Sequence, residues 1–167
     1  CIHTLANTAG GNGNLLLNIP VRGNGSIDEK ELAVVESITD WMKINSESIY
    51  ETHPWKQFGE GPAMADAAPV RAQGFNEGKG RPFTFEDFRF TVKGRTLYAI
   101  MLGWPQSGNF ALIRSLSANG PKAGNVSLLG VPGKLDHDQT AEGLKIRLPA
   151  QAPCQHAYVF KIEGVIS

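Results

Sequence analysis

The sequence predicts a mainly β protein, an antiparallel β-sandwich in the C-terminal part preceded by one β/α unit. Three observations predict it. Beyond residue 87, six short segments carry strand chemistry and are separated by Gly, Pro, Asn and Ser turns. Several of them alternate apolar with polar residues, as in Leu144, Ile146, Leu148 and again Tyr158, Phe160, Ile162, which sends one face inward and the other to water. A continuous apolar run followed by helical periodicity occurs before these segments, near the N-terminus.

That run is Leu15-Leu16-Leu17-Asn18-Ile19, bounded by Gly13-Asn14 and Pro20, and it suits a strand buried on both faces of a parallel sheet. Residues 21–25 follow as a loop, and Ser26-Ile27-Asp28-Glu29 opens a helix with a capping box. From Asp28 to about Asn45, Val34, Val35, Ile38, Trp41 and Met42 project onto one face and Glu29, Glu36, Asp40 and Lys43 onto the other. Such a unit cannot bury its own faces and needs neighbours on both sides. After Pro54-Trp55 the pattern breaks at Gly59, Gly61, Pro62, Gly74, Gly78, Gly80 and Pro82, marking a boundary and two domains, 1–54 and 55–167. The strands expected beyond it are Phe88 to Lys93, Thr96 to Gly103, Phe110 to Ser115, Asn125 to Leu129, Gly143 to Leu148 and Ala157 to Glu163.

Composition narrows the function classes. Hydrophobic residues make up 41%, enough for a core, and sixteen basic residues balance sixteen acidic ones. Without a basic cluster, nucleic acid is excluded as a partner, because its binding needs several phosphates neutralised. No apolar run nears the roughly 20 residues that span a bilayer, so no membrane is expected. The N-terminus has no signal peptide pattern and begins with Cys1, the start expected of a processed or truncated product. Cys1 and Cys154 are the two cysteines. They lack the close spacing of a zinc or redox motif and read as incidental thiols.

Gly13-Asn14-Leu15-Leu16-Leu17-Asn18-Ile19-Pro20, then Gly25-Ser26-Ile27, then Trp41 to Tyr50 resemble the last strand and helix of the (β/α)8 catalytic barrel of the α-L-fucosidases, glycoside hydrolase family 29. Asp87 to Thr91, Leu97 to Ile100, Gly103-Trp104-Pro105, Val126 to Gly130 and Gly143-Leu144 with Ile146, Leu148 and Pro149 are similar to successive strands of that family's C-terminal sandwich. The resemblance runs in the same order over nearly the whole chain. It implies a retaining glycosidase that releases terminal α-L-fucose with two carboxyl groups about 5 to 5.5 Å apart. The family's nucleophile, acid/base and fucose-binding histidines lie on earlier barrel segments, so no catalytic residue is assigned here and the chain alone is expected to be inactive. The upstream barrel and a fucosylated glycan are the implied partners, with a homo-oligomer as a further expectation and no cofactor. An extracellular, periplasmic or lysosomal location is implied. The family has glycines where this chain has Ser46 and Glu51, which implies an altered backbone in that turn.

Asn18 is the one candidate substrate-binding residue. It stands at the C-terminal end of the expected last strand, the end where barrel enzymes gather their active sites. Its amide can reach sugar or a neighbouring catalytic side chain, or it can simply tie the following loop. Asn14 precedes the strand and belongs to the opposite face. His3, His53, His137 and His156 show no metal-ligand spacing, and Glu29, Glu31, Glu36 and Asp40 read as a solvated helix flank. Trp55 and Trp104 suit packing better than sugar stacking, and Arg89, between Phe88 and Phe90, is expected in a structural ion pair with Asp87 at a polar rim. The alternative for the sandwich is a carbohydrate-binding or purely structural module.

Overall fold

The computed structural model describes residues 1–65 and 81–166. In chain order the elements are helices α1 (Ile2–Gly10) and α2 (Glu29–Asn45), strand β1 (His53–Glu60), the short helix α3 (Pro62–Ala65), and strands β2 (Phe88–Lys93), β3 (Thr96–Met101), β4 (Phe110–Ile113), β5 (Val126–Leu128), β6 (His137–Thr140), β7 (Gly143–Arg147) and β8 (Tyr158–Glu163). All pairings are antiparallel. They form a five-stranded sheet in the order β1-β2-β3-β8-β5 and a three-stranded sheet in the order β4-β7-β6. The six strands expected from residue 88 onward are all present, and the mainly β class holds. Of the glycines expected to break the boundary region, Gly74, Gly78 and Gly80 lie outside the described residues.

Two apolar layers hold the fold. Phe88, Phe90, Leu97, Ala99, Met101, Ala111, Ile113, Leu144, Ile146, Phe160 and Ile162 fill the space between the sheets. On the far side of the larger sheet, Tyr98, Ile100, Leu102 and Val159 pack against Ile2, Ala6 and Trp41 from the two helices. The larger sheet is therefore covered on both faces, which explains why β2 and β3 are buried along nearly their whole length. For β8 the expected outward face is corrected, because Val159 is buried under the helices. β7 follows the alternation, with Leu144 and Ile146 buried and Lys145 and Arg147 exposed.

The expected strand at Leu15 to Ile19 does not form. Residues 13–22 have no regular secondary structure, and Leu16 is 93% exposed. Among the described residues the backbone groups of residues 14–21 pair with no other backbone group. A strand buried on both faces takes its hydrogen bonds from parallel neighbours, and every strand described here is engaged in one of two antiparallel sheets. Helix α2 does form, but its cap differs from the expected box. Asp28 is the N-cap, accepting from the Lys30 and Glu31 N–H groups at 3.0 and 3.1 Å, two residues later than Ser26 would have placed it. Only the C-terminal half of the helix is anchored, with Trp41 buried and its Nε1–H donating to the Ala157 carbonyl at 2.8 Å.

Helices α1 and α3 and strands β1 and β6 have no counterpart among the elements expected from the sequence. The turn after α2 also differs from expectation, for Glu51 takes φ 60 and so holds the left-handed conformation that a glycine would adopt there. Its carboxylate pairs with Lys93 at 2.6 Å. Ser46 has ordinary helical geometry at φ -57.

Candidate functional site

Asn18 lies on the exposed segment between α1 and α2, flanked by Leu15, Leu16, Leu17 and Val21, all of them exposed. Ile27, and Leu32 and Val34 of α2, are exposed as well. Between the two helices opens a hollow of ≈ 360 Å³ lined by Cys1, Ile2, His3, Ala33, Val34, Ser37, Ile38 and His156. A run of exposed leucines is a surface that calls for a cover. Asn14 shares this segment, and neither asparagine makes a side-chain hydrogen bond among the described residues.

Besides the Trp41–Ala157 hydrogen bond, three groups of polar contacts that sequence spacing did not reveal join the helical segments to the sandwich. His156, on the loop before β8, accepts the His3 ring N–H on its carbonyl at 2.9 Å, and its own Nε2 lies 3.0 Å from the Ser37 hydroxyl. His156 holds φ 73, so its backbone turns sharply to face both helices. The second contact is Arg89. It is 3% exposed and not at a polar rim, and its Nε donates to Asn7 Oδ1 at 2.6 Å and its guanidinium to the Phe88 carbonyl at 2.7 Å. The faces of Phe58 and Phe83 lie 4.9 and 5.3 Å from the guanidinium carbon. Burial lowers the guanidinium pKa, and the negative charge of Asp87 works against that shift. Asp87 is not a bonded partner, because its oxygens take the Ala63 N–H, the Thr84 N–H and the Thr84 hydroxyl at 2.8, 2.8 and 3.0 Å. The expected ion pair is thus replaced by an arginine held in an aromatic slot.

The third contact gathers Glu47, Lys161 and Tyr98. Lys161 Nζ stands 3.0 Å from Glu47 Oε2, and the Tyr98 hydroxyl donates to the same oxygen at 3.3 Å. Burial, with the Glu47 charge second, pushes the Tyr98 phenol up to about 12. A phenol so reluctant to ionise serves as a hydrogen-bond donor and not as a base near neutrality.

Carboxylates line other hollows. Glu60 and Glu86 share one with Phe85, Phe110 and Arg114. The Glu60 carboxylate is engaged by the Arg114 and Ser115 N–H groups and the Ser115 hydroxyl, so it acts as a clamp on the end of β4. Asp40, beside Glu36 on the exposed flank of α2, pairs with Lys43 at 2.8 Å. Asp136 and Asp138 stand on the outer face of the smaller sheet. Among the described residues no three His, Cys, Asp or Glu side chains gather as a metal site, and no helix is long and apolar enough to cross a membrane. Trp104 packs on Tyr158 with ring centroids 4.7 Å apart, and Trp55 on the edge of Phe90 at 5.1 Å.

Comparison with known proteins gives this geometry a context. The profile described as "Alpha-L-fucosidase C-terminal domain" matches residues 82–163, and that described as "Alpha-L-fucosidase" matches residues 1–47. The α-L-fucosidase of Branchiostoma floridae is 29% identical over 170 residues, covering 99% of this chain and 32% of its own length. The tissue α-L-fucosidase of Homo sapiens is 30% identical over 173 residues, covering 98% and 31%. Among solved structures, Thermotoga maritima α-fucosidase superposes with a TM-score of 0.72 at 22% identity, over 96% of this chain and 33% of that one. The chain therefore spans about a third of the length of the relatives it matches.

Proposed function

The chain belongs to the α-L-fucosidase family as its C-terminal region, the end of the catalytic domain plus the C-terminal domain, and on that premise we propose that it serves the hydrolysis of terminal α-L-fucosides without carrying the reacting groups. The observation that carries this reading is the exposed apolar segment Leu15 to Val21, whose backbone groups pair with no other backbone group among the described residues. Such a segment becomes a buried parallel strand only when neighbours flank it. The polypeptide that supplies those neighbours supplies the nucleophile and the acid/base of a retaining mechanism. The segment division at Pro54 separates barrel end from sandwich, and the protein works in a secreted, periplasmic or lysosomal setting.

Within that assembly Asn18 stands at the catalytic mouth and contacts sugar or a neighbouring catalytic side chain. The sandwich braces the end of the barrel. Support for the bracing comes from the larger sheet, whose second face is buried under α1 and α2.

The lone chain, given an aryl α-L-fucoside, is expected to show no turnover, while the complete enzyme hydrolyses it. Turnover by the lone chain sinks the reading. In the complete enzyme Asn18→Ala is expected to lower kcat/KM about tenfold, roughly 1.4 kcal/mol, with Tm unchanged; a lowered Tm with unchanged kcat/KM assigns Asn18 to the loop alone.

A further inference from the structure

The outer face of the smaller sheet presents a second concentration of chemistry. Phe110 of β4 is 42% exposed, although it sits on a strand paired with β7, where it faces Arg147. Its ring borders two hollows, of ≈ 420 and ≈ 370 Å³. The second is lined by Asp136, His137, Asp138, Lys145 and Arg147 along with Phe110 itself. Cross-strand register sets Asp138 opposite Lys145, the position for a routine surface ion pair. That pair is not made. Lys145 Nζ instead lies 4.3 Å from the centroid of the Phe110 ring, and the side chains of Asp136, Asp138 and Arg147 make no hydrogen bond or ion pair among the described residues.

An exposed aromatic ring surrounded by unengaged donors and acceptors on a firm sheet suits a ligand with one apolar face and a hydroxylated rim. Two carboxylates and two cations line the hollow. Their charges cancel, so an ion of either sign meets two like charges, whereas hydroxyl groups can donate to Asp136 and Asp138 and accept from Lys145 and Arg147. From this geometry we infer that the outer face of β4-β7-β6 is a binding subsite for a neutral oligosaccharide, one sugar ring lying on Phe110. The sugar takes the place of the Lys145 ammonium on the ring, and the displaced ammonium donates to a hydroxyl. The glycan is the part of a fucoside beyond the scissile bond, and in that identity the inference rests on the functional reading above.

The test titrates 2′-fucosyllactose, and separately 3′-sialyllactose as its anionic counterpart, into the isotopically labelled chain and follows amide shifts by NMR. Saturable shifts centred on Phe110, Asp138 and Arg147 are expected with the neutral sugar, at a Kd on the order of 1 mM. The anionic sugar is expected to bind at least about tenfold more weakly. Phe110→Ala is expected to weaken binding about tenfold with the rest of the spectrum unchanged, and Arg147→Gln, on an exposed position, gives the same direction where the first variant fails to fold. Absence of shifts, shifts centred elsewhere, tighter binding of the anionic sugar, or undiminished binding by the folded variants overturns the inference. Turnover of a small aryl α-L-fucoside by the complete enzyme tests the functional reading separately, because that substrate has no glycan to reach Phe110.

Discussion

At the scale of single residues, Arg89 determines how the helices meet the sandwich. Its guanidinium is out of water, and its bonds to Asn7 Oδ1 and the Phe88 carbonyl replace solvent. Space for it depends on Gly59, where a Cβ would lie 2.4 Å from the Phe88 carbonyl and 2.9 Å from the arginine itself. Arg89→Ala leaves Asn7 and the Phe88 carbonyl without their donor and empties the slot between Phe58 and Phe83. We expect a loss of about 3 kcal/mol by denaturant unfolding, with strong non-additivity toward Asn7→Ala; additive losses mean the two residues do not interact. Tyr98 gives a pH signature. Its folded pKa, near 12, lies above the ordinary tyrosine value of 10.0, so the folded state keeps a proton that the unfolded state gives up. The resulting stability is complete below pH 10.0 and falls as pH rises toward 12. Absorbance titration should find one tyrosine ionising late, and Tyr98→Phe should flatten the alkaline loss; an unchanged alkaline profile contradicts the assignment.

Elements show why some of the fold was legible and some was not. Helix α2 announced itself by periodicity, and its start by the polar residues Ser26 and Asp28, but which of them caps is decided by backbone geometry at Asp28, φ -78 and ψ 166. Asp28→Ala should therefore cost about 1 kcal/mol of stability, whereas Ser26→Ala should leave unfolding nearly unchanged; equal losses place the cap elsewhere. Strands β2, β3, β7 and β8 were legible because their apolar residues alternate or run together. β1 was not, since Pro54 and Gly59 interrupt it and its register shifts between those residues against β2, as edge strands tolerate. β6, His137-Asp138-Gln139-Thr140, contains no apolar residue at all. Gln139 secures it from inside by taking the Ala123 N–H and donating to the Leu116, Ser117 and Pro121 carbonyls. For α1, the spacing of Ile2, Leu5 and Ala6 was the signal that could have revealed it.

On the scale of the whole molecule, two apolar surfaces of similar sequence character have opposite fates. The face of the larger sheet that carries Tyr98, Ile100 and Val159 finds its cover in α1 and α2 within the chain. Among the described residues Leu16, 93% exposed, finds none, and Leu15 and Leu17 are only partly covered. Leu16→Ser should consequently change the unfolding free energy of this chain by no more than about 0.5 kcal/mol, while in the complete enzyme it should lower Tm by several degrees, since about 2 kcal/mol of side-chain burial is lost. An unchanged Tm in the complete enzyme would count against the strand becoming buried there. The candidate residue Asn18 follows the same logic: its position along the chain was readable, but it is exposed and makes no side-chain hydrogen bond among the described residues.

By itself the sequence determined the strand-rich class, six of the eight strands, helix α2 and the family resemblance, because these follow from local periodicity and from the order of motifs. Only the tertiary structure decided that the larger sheet is covered twice, that Arg89 joins Asn7 instead of Asp87, that His3, Ser37 and His156 meet, and that Phe110 faces outward beside Lys145 and Arg147. Those outcomes depend on which surfaces compete for burial and which donors lie within about 3 Å of an acceptor, and pairings between residues as much as 153 positions apart leave no trace in local pattern.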